Sequence, residues 1–126
     1  MKVDNTLFNS FQHACEGIWY VVRTQRNARI HLAVMAVVVG VGAGIGLSRI
    51  EWTVLVLVLG MVLAAEWFNR AIEAAVDLVT TERRPLAKVA KDVAAAGVLL
   101  TVLVAVAVGM LILGVPLWQR LVALIR

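Results

Sequence analysis

The sequence predicts an all-α membrane protein of three transmembrane helices, preceded by an N-terminal amphipathic helix on the membrane surface. Three observations carry that expectation. Of 126 residues, 62% are hydrophobic, with a mean hydropathy of +0.91, whereas a soluble domain is nearer half apolar. The apolar residues are mostly Val, Leu and Ala gathered into long runs. The basic residues flank those runs, as membrane orientation signals do. A net charge of +4 arranged in that way argues against a nucleic-acid patch. The length suits a single membrane domain, 1–126. Cys15 is the single cysteine, so no internal disulfide and no oxidising compartment are implied; it reads as a small hydrophobe. The first long apolar run begins after residue 27, too late for a cleavable signal peptide.

Residues 5–26 form the surface helix. Leu7, Phe8, Phe11, Cys15, Ile18, Trp19 and Val22 recur at steps of three and four, which makes one apolar stripe. Gln12, His13, Glu16, Tyr20 and Arg23 lie off it. A stripe of this kind just before a span suits a helix in the membrane interface; a soluble helix packed on a core is the alternative. Residues 28–47 form the first span, about 30 Å of helix. Gly40, Gly42, Gly44 and Gly46 crowd its far half, where backbones can approach closely.

A short turn at 48–51 leads to Trp52, an interfacial residue. The uninterrupted apolar run 52–65 would cover only about 21 Å as helix, short of the roughly 30 Å hydrocarbon. The second span therefore continues, at 52–77, and draws Glu66, Asn69 and Arg70 to the membrane boundary. A charged connection, 78–92, precedes the third span at 93–113. Gly114 and Pro116 are expected to end it, and residues 115–126 form an amphipathic tail. Arg23, Arg26 and Arg29 precede the first span, and Arg83, Arg84, Lys88 and Lys91 separate the second from the third. The positive-inside rule puts the N terminus and the second connection in the cytoplasm, although Arg120 and Arg126 mildly oppose it.

Glu66, Asn69, Arg70, Glu73 and Asp77 share one helical face. A carboxylate facing lipid at the bilayer centre costs about 2.5–3.5 kcal/mol on insertion scales, so this face must look into protein or a wetted cleft. A structural reading makes it an interhelical salt-bridge stripe with Arg70, Lys88 or Lys91. A chemical reading is also open. Carboxylates and water hold Mg²⁺, which holds phosphates, lysine neutralises phosphate charge, and a partly desolvated carboxylate can take a proton from an alcohol. No Walker motif or kinase signature set is present.

The run Glu66-Trp67-Phe68-Asn69-Arg70-Ala71-Ile72-Glu73-Ala74-Ala75-Val76-Asp77, followed by Pro85-Leu86-Ala87-Lys88-Val89-Ala90-Lys91-Asp92, resembles the bacterial diacylglycerol kinase/undecaprenol kinase family. That family's pattern is E-x-x-N-S/T-A-I-E-x-x-V-D, then A-K-D-x-A-A. Gly17, Asn27 to His31, and Glu51-Trp52 extend the resemblance over roughly residues 8–113. The Arg-Ile-His, Glu-Trp and Pro-Leu-Ala-Lys segments are nearer the undecaprenol kinase branch.

The resemblance implies ATP-dependent phosphorylation of a membrane lipid alcohol, undecaprenol first and diacylglycerol as the alternative. It also implies a homotrimer with sites between protomers in the bacterial cytoplasmic membrane. On that basis Glu66 is the general base and Asn69 positions the reacting groups. Glu73 ligates Mg²⁺ carrying the ATP phosphates, and Lys91 stabilises their charge. Asp77 and Asp92 orient the nucleotide and the basic groups, and Arg84 can contact phosphate where a histidine is common.

The chain departs from the family in places. Gln25, an amide, falls where the family has its second acidic metal ligand, with Glu16 as a substitute of different reach. Arg70 replaces a small hydroxyl residue and can pair with Glu66 or Glu73. Ala96-Gly97 reverses the usual order. A membrane assembly protein that keeps the fold without the chemistry is therefore an alternative. A small transporter would explain the intramembrane acids but not the charged connection. His31 reads as an interfacial anchor, with a site role as the alternative, and His13 as a solvated residue.

Overall fold

A computed structural model describes residues 7–125. The expected start of the surface helix at residue 5, Arg126 and the end of the tail lie outside the described residues. Four helices follow one another: α1 (Leu7–Thr24), α2 (Arg26–Ile45), α3 (Arg49–Val79) and α4 (Pro85–Ile125). The last three are each long and apolar enough to cross a membrane, and the protein is a membrane protein. No strand occurs among the described residues.

α1 turns into α2 at Gln25, whose extended backbone (φ −105°, ψ 118°) breaks the helix for one residue. Leu7, Phe8, Phe11, Ile18 and Trp19 of its apolar stripe are exposed, while Val21 is buried. α2 ends at Gly46, held at φ 81°, a left-handed conformation that glycine adopts without a Cβ penalty. Of the glycines in that half, Gly42 makes the close approach. A Cβ there would meet Leu47 Cδ1 at 2.9 Å and the Trp52 ring at 3.1 Å.

α3 starts at a capping box. Ser48 Oγ accepts from the Glu51 backbone N–H at 3.3 Å, and Glu51 Oε2 accepts from the Ser48 N–H at 2.7 Å. Two orphan donors of the first turn are satisfied reciprocally. The helix packs chiefly on α4 and also touches α1 and α2. Its buried residues, Leu55, Val58, Leu59, Val62, Glu66 and Asn69, step by three and four and so line one side.

α4 departs from the sequence expectation at both ends. It begins at Pro85, so the second half of the charged connection is helical, and it runs unbroken through Gly114 and Pro116. A proline at the first helical position removes an N–H that would have no partner there. Inside a membrane helix, neighbouring groups re-satisfy the carbonyl that proline frees, and no water competes for the backbone. Beyond Pro116 the helix folds against the end of α2. The Arg120 guanidinium donates to the carbonyls of Gly44 at 2.9 Å and Ile45 at 3.0 Å. Those carbonyls belong to the last turn of α2, where a cation is favoured.

Candidate active site

Glu66 is buried at 2% exposure and Asn69 at 8%, one turn apart on the inward side of α3. Ser48 lies 18 residues before Glu66, about 27 Å along the helix, so Glu66 sits near the far edge of a roughly 30 Å hydrocarbon layer. Its carboxylate faces α2, where His31 Nε2 lies 3.7 Å from Oε2. That separation is beyond hydrogen-bond length but within direct charge contact. Asn69 Oδ1 is buried with no hydrogen-bond partner among the described residues.

The next turns of α3 are progressively more exposed. Glu73 is half-buried and takes a direct ion pair from Arg70, one of the two pairings the sequence leaves open; Arg70 Nε itself is buried without a partner among the described residues. Asp77 is exposed and accepts from Lys91 Nζ of α4 at 2.6 Å, which ties the two helices together beyond the membrane edge. Lys88 pairs with Asp92 at 2.5 Å along α4, and Arg84 with Glu82 at 3.1 Å. The salt-bridge reading thus accounts for Glu73 and Asp77, but among the described residues no lysine or arginine pairs with Glu66.

Asp77, Arg84, Lys91 and Asp92 all line one open cleft of about 640 Å³ between the ends of α3 and α4, together with Arg83 and Lys88. Glu73 and Gln25 do not line it. Gln25 is half-buried at the α1–α2 joint, with its amide Nε2 donating to Thr24 Oγ1 at 3.0 Å. Among the described residues, no three His, Cys, Asp or Glu side chains gather into a metal-binding group. On α1, Glu16 accepts from Gln12 at 3.1 Å and contacts His13 at 3.3 Å. These contacts, His13 first, hold its carboxyl below the ordinary carboxylate range. Glu16 is therefore engaged within α1.

Comparison with known proteins decides the lineage. The family described as prokaryotic diacylglycerol kinase matches residues 12–113. The chain belongs to that family. Undecaprenol kinase of Bacillus subtilis is 43% identical over 108 residues, 86% of this chain and 88% of the relative. Diacylglycerol kinase of Synechocystis sp. is 38% identical over 122 residues, 96% of this chain and 70% of the relative. Diacylglycerol kinase of Pseudomonas aeruginosa is 33% identical over 90 residues, 71% of this chain and 73% of the relative. As a prokaryotic diacylglycerol kinase family member the chain is a lipid kinase, with ATP as its phosphoryl donor.

The sequence reading ranks a site role for His31 second and names no partner for it; the structure sets it against Glu66. An ionisable residue entering a span is a functional candidate by default, but its partner is 35 positions away and on another helix.

Proposed function

We propose that this lipid kinase transfers the γ-phosphoryl group of Mg·ATP to undecaprenol, with Glu66 as general base. The observation that carries the reading is a carboxylate buried at the membrane edge, on the same helix that ends at a cationic cleft. Glu66 and Asp77 are eleven residues apart, about 16 Å along α3. A lipid alcohol can meet the first end from the bilayer, and a nucleotide the second from water. The higher identity to an undecaprenol kinase than to the two diacylglycerol kinases favours the polyprenol, and phosphatidic acid synthesis from diacylglycerol is the competing outcome.

The donor set fits Mg²⁺ carried on nucleotide phosphates. Mg²⁺ usually takes one or two carboxylates, with phosphate and water filling the rest. Glu73 supplies a carboxylate, and the Gln25 amide oxygen remains once its nitrogen is given to Thr24. Asn69 Oδ1, buried and without a partner among the described residues, is a further acceptor one turn before Glu73 on α3. When bound, the ion would draw charge from the phosphates as transfer proceeds.

The chain's own groups do the rest by positioning and electrostatics, as phosphoryl transfer requires. Lys91, held by Asp77, presents a point cation to phosphate. Arg84 and Asp92 complete the rim. Asn69 aligns the alcohol with the γ-phosphate, and Glu66 accepts the hydroxyl proton as the new O–P bond forms and ADP leaves. The working unit is proposed to be a homotrimer in the cytoplasmic membrane, with the N terminus and the cleft on the cytoplasmic side and α1 lying in the interface. Exposed Leu7, Phe8, Phe11 and Trp19 support that placement of α1.

Undecaprenol phosphorylation by the full-length protein in detergent micelles tests the reading. Glu66→Gln is expected to cut kcat by 10²-fold or more, the usual worth of general-base catalysis; full activity would remove Glu66 from the role. A second reading, a kinase weakened at its metal site, is favoured by Gln25 and by the Arg70 contact on Glu73. Gln25→Glu should then lower the Mg²⁺ concentration for half-maximal activity by several-fold, because an added carboxylate holds the ion more tightly. An unchanged Mg²⁺ dependence would show that Gln25 does not face the ion.

A further inference from the structure

The apolar groove on the membrane side of the site has one polar residue in its lining. It holds about 350 Å³ between α2, α3 and α4, and its walls include Val34, Val38, Leu59, Val62 and Met110, with His31 at the Glu66 end. The Glu66 side chain is only 3% exposed and that of His31 21% exposed. A base so enclosed has a problem of turnover. Each transfer leaves it carrying a proton, and it must lose that proton before the next alcohol arrives, with almost no water contact of its own.

We propose that His31 is a positioning residue of the reaction, which keeps the Glu66 carboxylate oriented and carries its proton away to interfacial water. The inference rests on Glu66 being the base. The alcohol oxygen forms a bond to the γ-phosphorus as the bond to the ADP oxygen breaks, and ADP leaves with that electron pair. The hydroxyl proton passes to a Glu66 oxygen. It then passes to the lone pair of His31 Nε2, in the tautomer that carries its hydrogen on Nδ1, and the imidazolium releases it to water at the partly exposed ring.

The 3.7 Å between Nε2 and Oε2 must close by less than 1 Å for transfer, and such contacts commonly tighten only in the substrate complex. Among the described residues, Glu66 is the one charged side chain from α1, α3 or α4 within ion-pair distance of His31. The groove residues of α3 and α4 that face it are all uncharged. The ring therefore has one titratable partner and, five residues past the start of α2 at Arg26, one partly exposed edge near the membrane boundary, the two connections a relay needs.

The test compares His31→Leu, His31→Gln and Glu66→Gln in full-length protein, with undecaprenol in micelles and Mg·ATP. His31→Leu is expected to lower kcat on the order of 10- to 100-fold, the cost of a misplaced reacting group, with KM for ATP unchanged. His31→Gln keeps a polar contact but cannot accept a proton, so it should recover part of the rate. Its pH–rate profile should differ in shape from the parent's, because an amide does not ionise. A His31→Leu rate within twofold of the parent, or a His31→Gln profile superimposable on the parent's, overturns the proposal. If Glu66→Gln is inactive while both His31 variants behave as the parent, only the relay is lost. If Glu66→Gln is active, the base assignment itself is lost.

Discussion

The two halves of α3 bury the same side of one helix and fill it with opposite chemistry. From Leu55 to Val62 the inward side is Leu, Val, Leu, Val; from Glu66 to Asn69 it is a carboxylate and an amide. Nothing in the helical geometry changes between them, since the steps remain three and four. The outer half gains close packing against its neighbours. The inner half forgoes that gain, burying one acid against a histidine and one amide oxygen without a partner among the described residues. A buried polar group without full satisfaction costs free energy, so its presence points to a demand other than folding.

The sharpest way to break this comparison is to make the inner half resemble the outer. Glu66→Leu would extend the apolar stripe by one turn. Because a buried charge is often replaced by a hydrophobe at no loss of stability, the variant should fold and resist thermal unfolding at least as well as the parent. Its kinase activity should fall by 10²-fold or more. A variant that unfolds instead would show that the His31 contact is structural, and the two halves would then serve one purpose.

Much of this contrast is legible in the sequence. The apolar run from 52 is too short to span, so the acids must enter the boundary, and their spacing places them on one side. The open cleft is legible too, because Asp77 and Lys91 flank the same connection. Three features are not. His31 and Glu66 are joined by the relative height of two helices, which no local period encodes. Pro116 reads as a stop by rules learned in water, whereas α4 continues through it. Arg120 reads as a charge opposing the topology, yet it closes the end of α2 through two carbonyls that lie 75 and 76 positions earlier. The capping box of Ser48 and Glu51 was available, since Ser-x-x-Glu before an apolar run is its local signature.

In the outer half the same comparison predicts the reverse outcome. Leu55 is the largest fully buried side chain, at 2% exposure. Leu55→Ala should cost about 2–5 kcal/mol of stability through lost contacts and a cavity. The folded fraction should retain the parent's kcat, because Glu66 lies eleven residues further on, about 16 Å away along the helix. Denaturant unfolding in micelles, paired with activity per folded molecule, checks both parts. A kcat loss larger than the loss of folded protein would mean that packing near Leu55 sets the position of Glu66.

The smallest effect is expected farthest from the chemistry. Ser48→Ala removes the hydroxyl that accepts the Glu51 N–H, and an N-cap of this type is worth roughly 1 kcal/mol. The box is reciprocal, so Glu51 can still accept from the backbone N–H at 48, which argues for a smaller loss than that. Fraying one turn at this end leaves about 21 Å of helix before Glu66, and the packing of Leu55 to Val62 intervenes. Hydrogen exchange should therefore quicken over the first turn of α3 and stay unchanged around residue 66, with kcat unaltered. Faster exchange at both ends would show that α3 responds as one rigid rod, and the independence of its two halves would have to be given up.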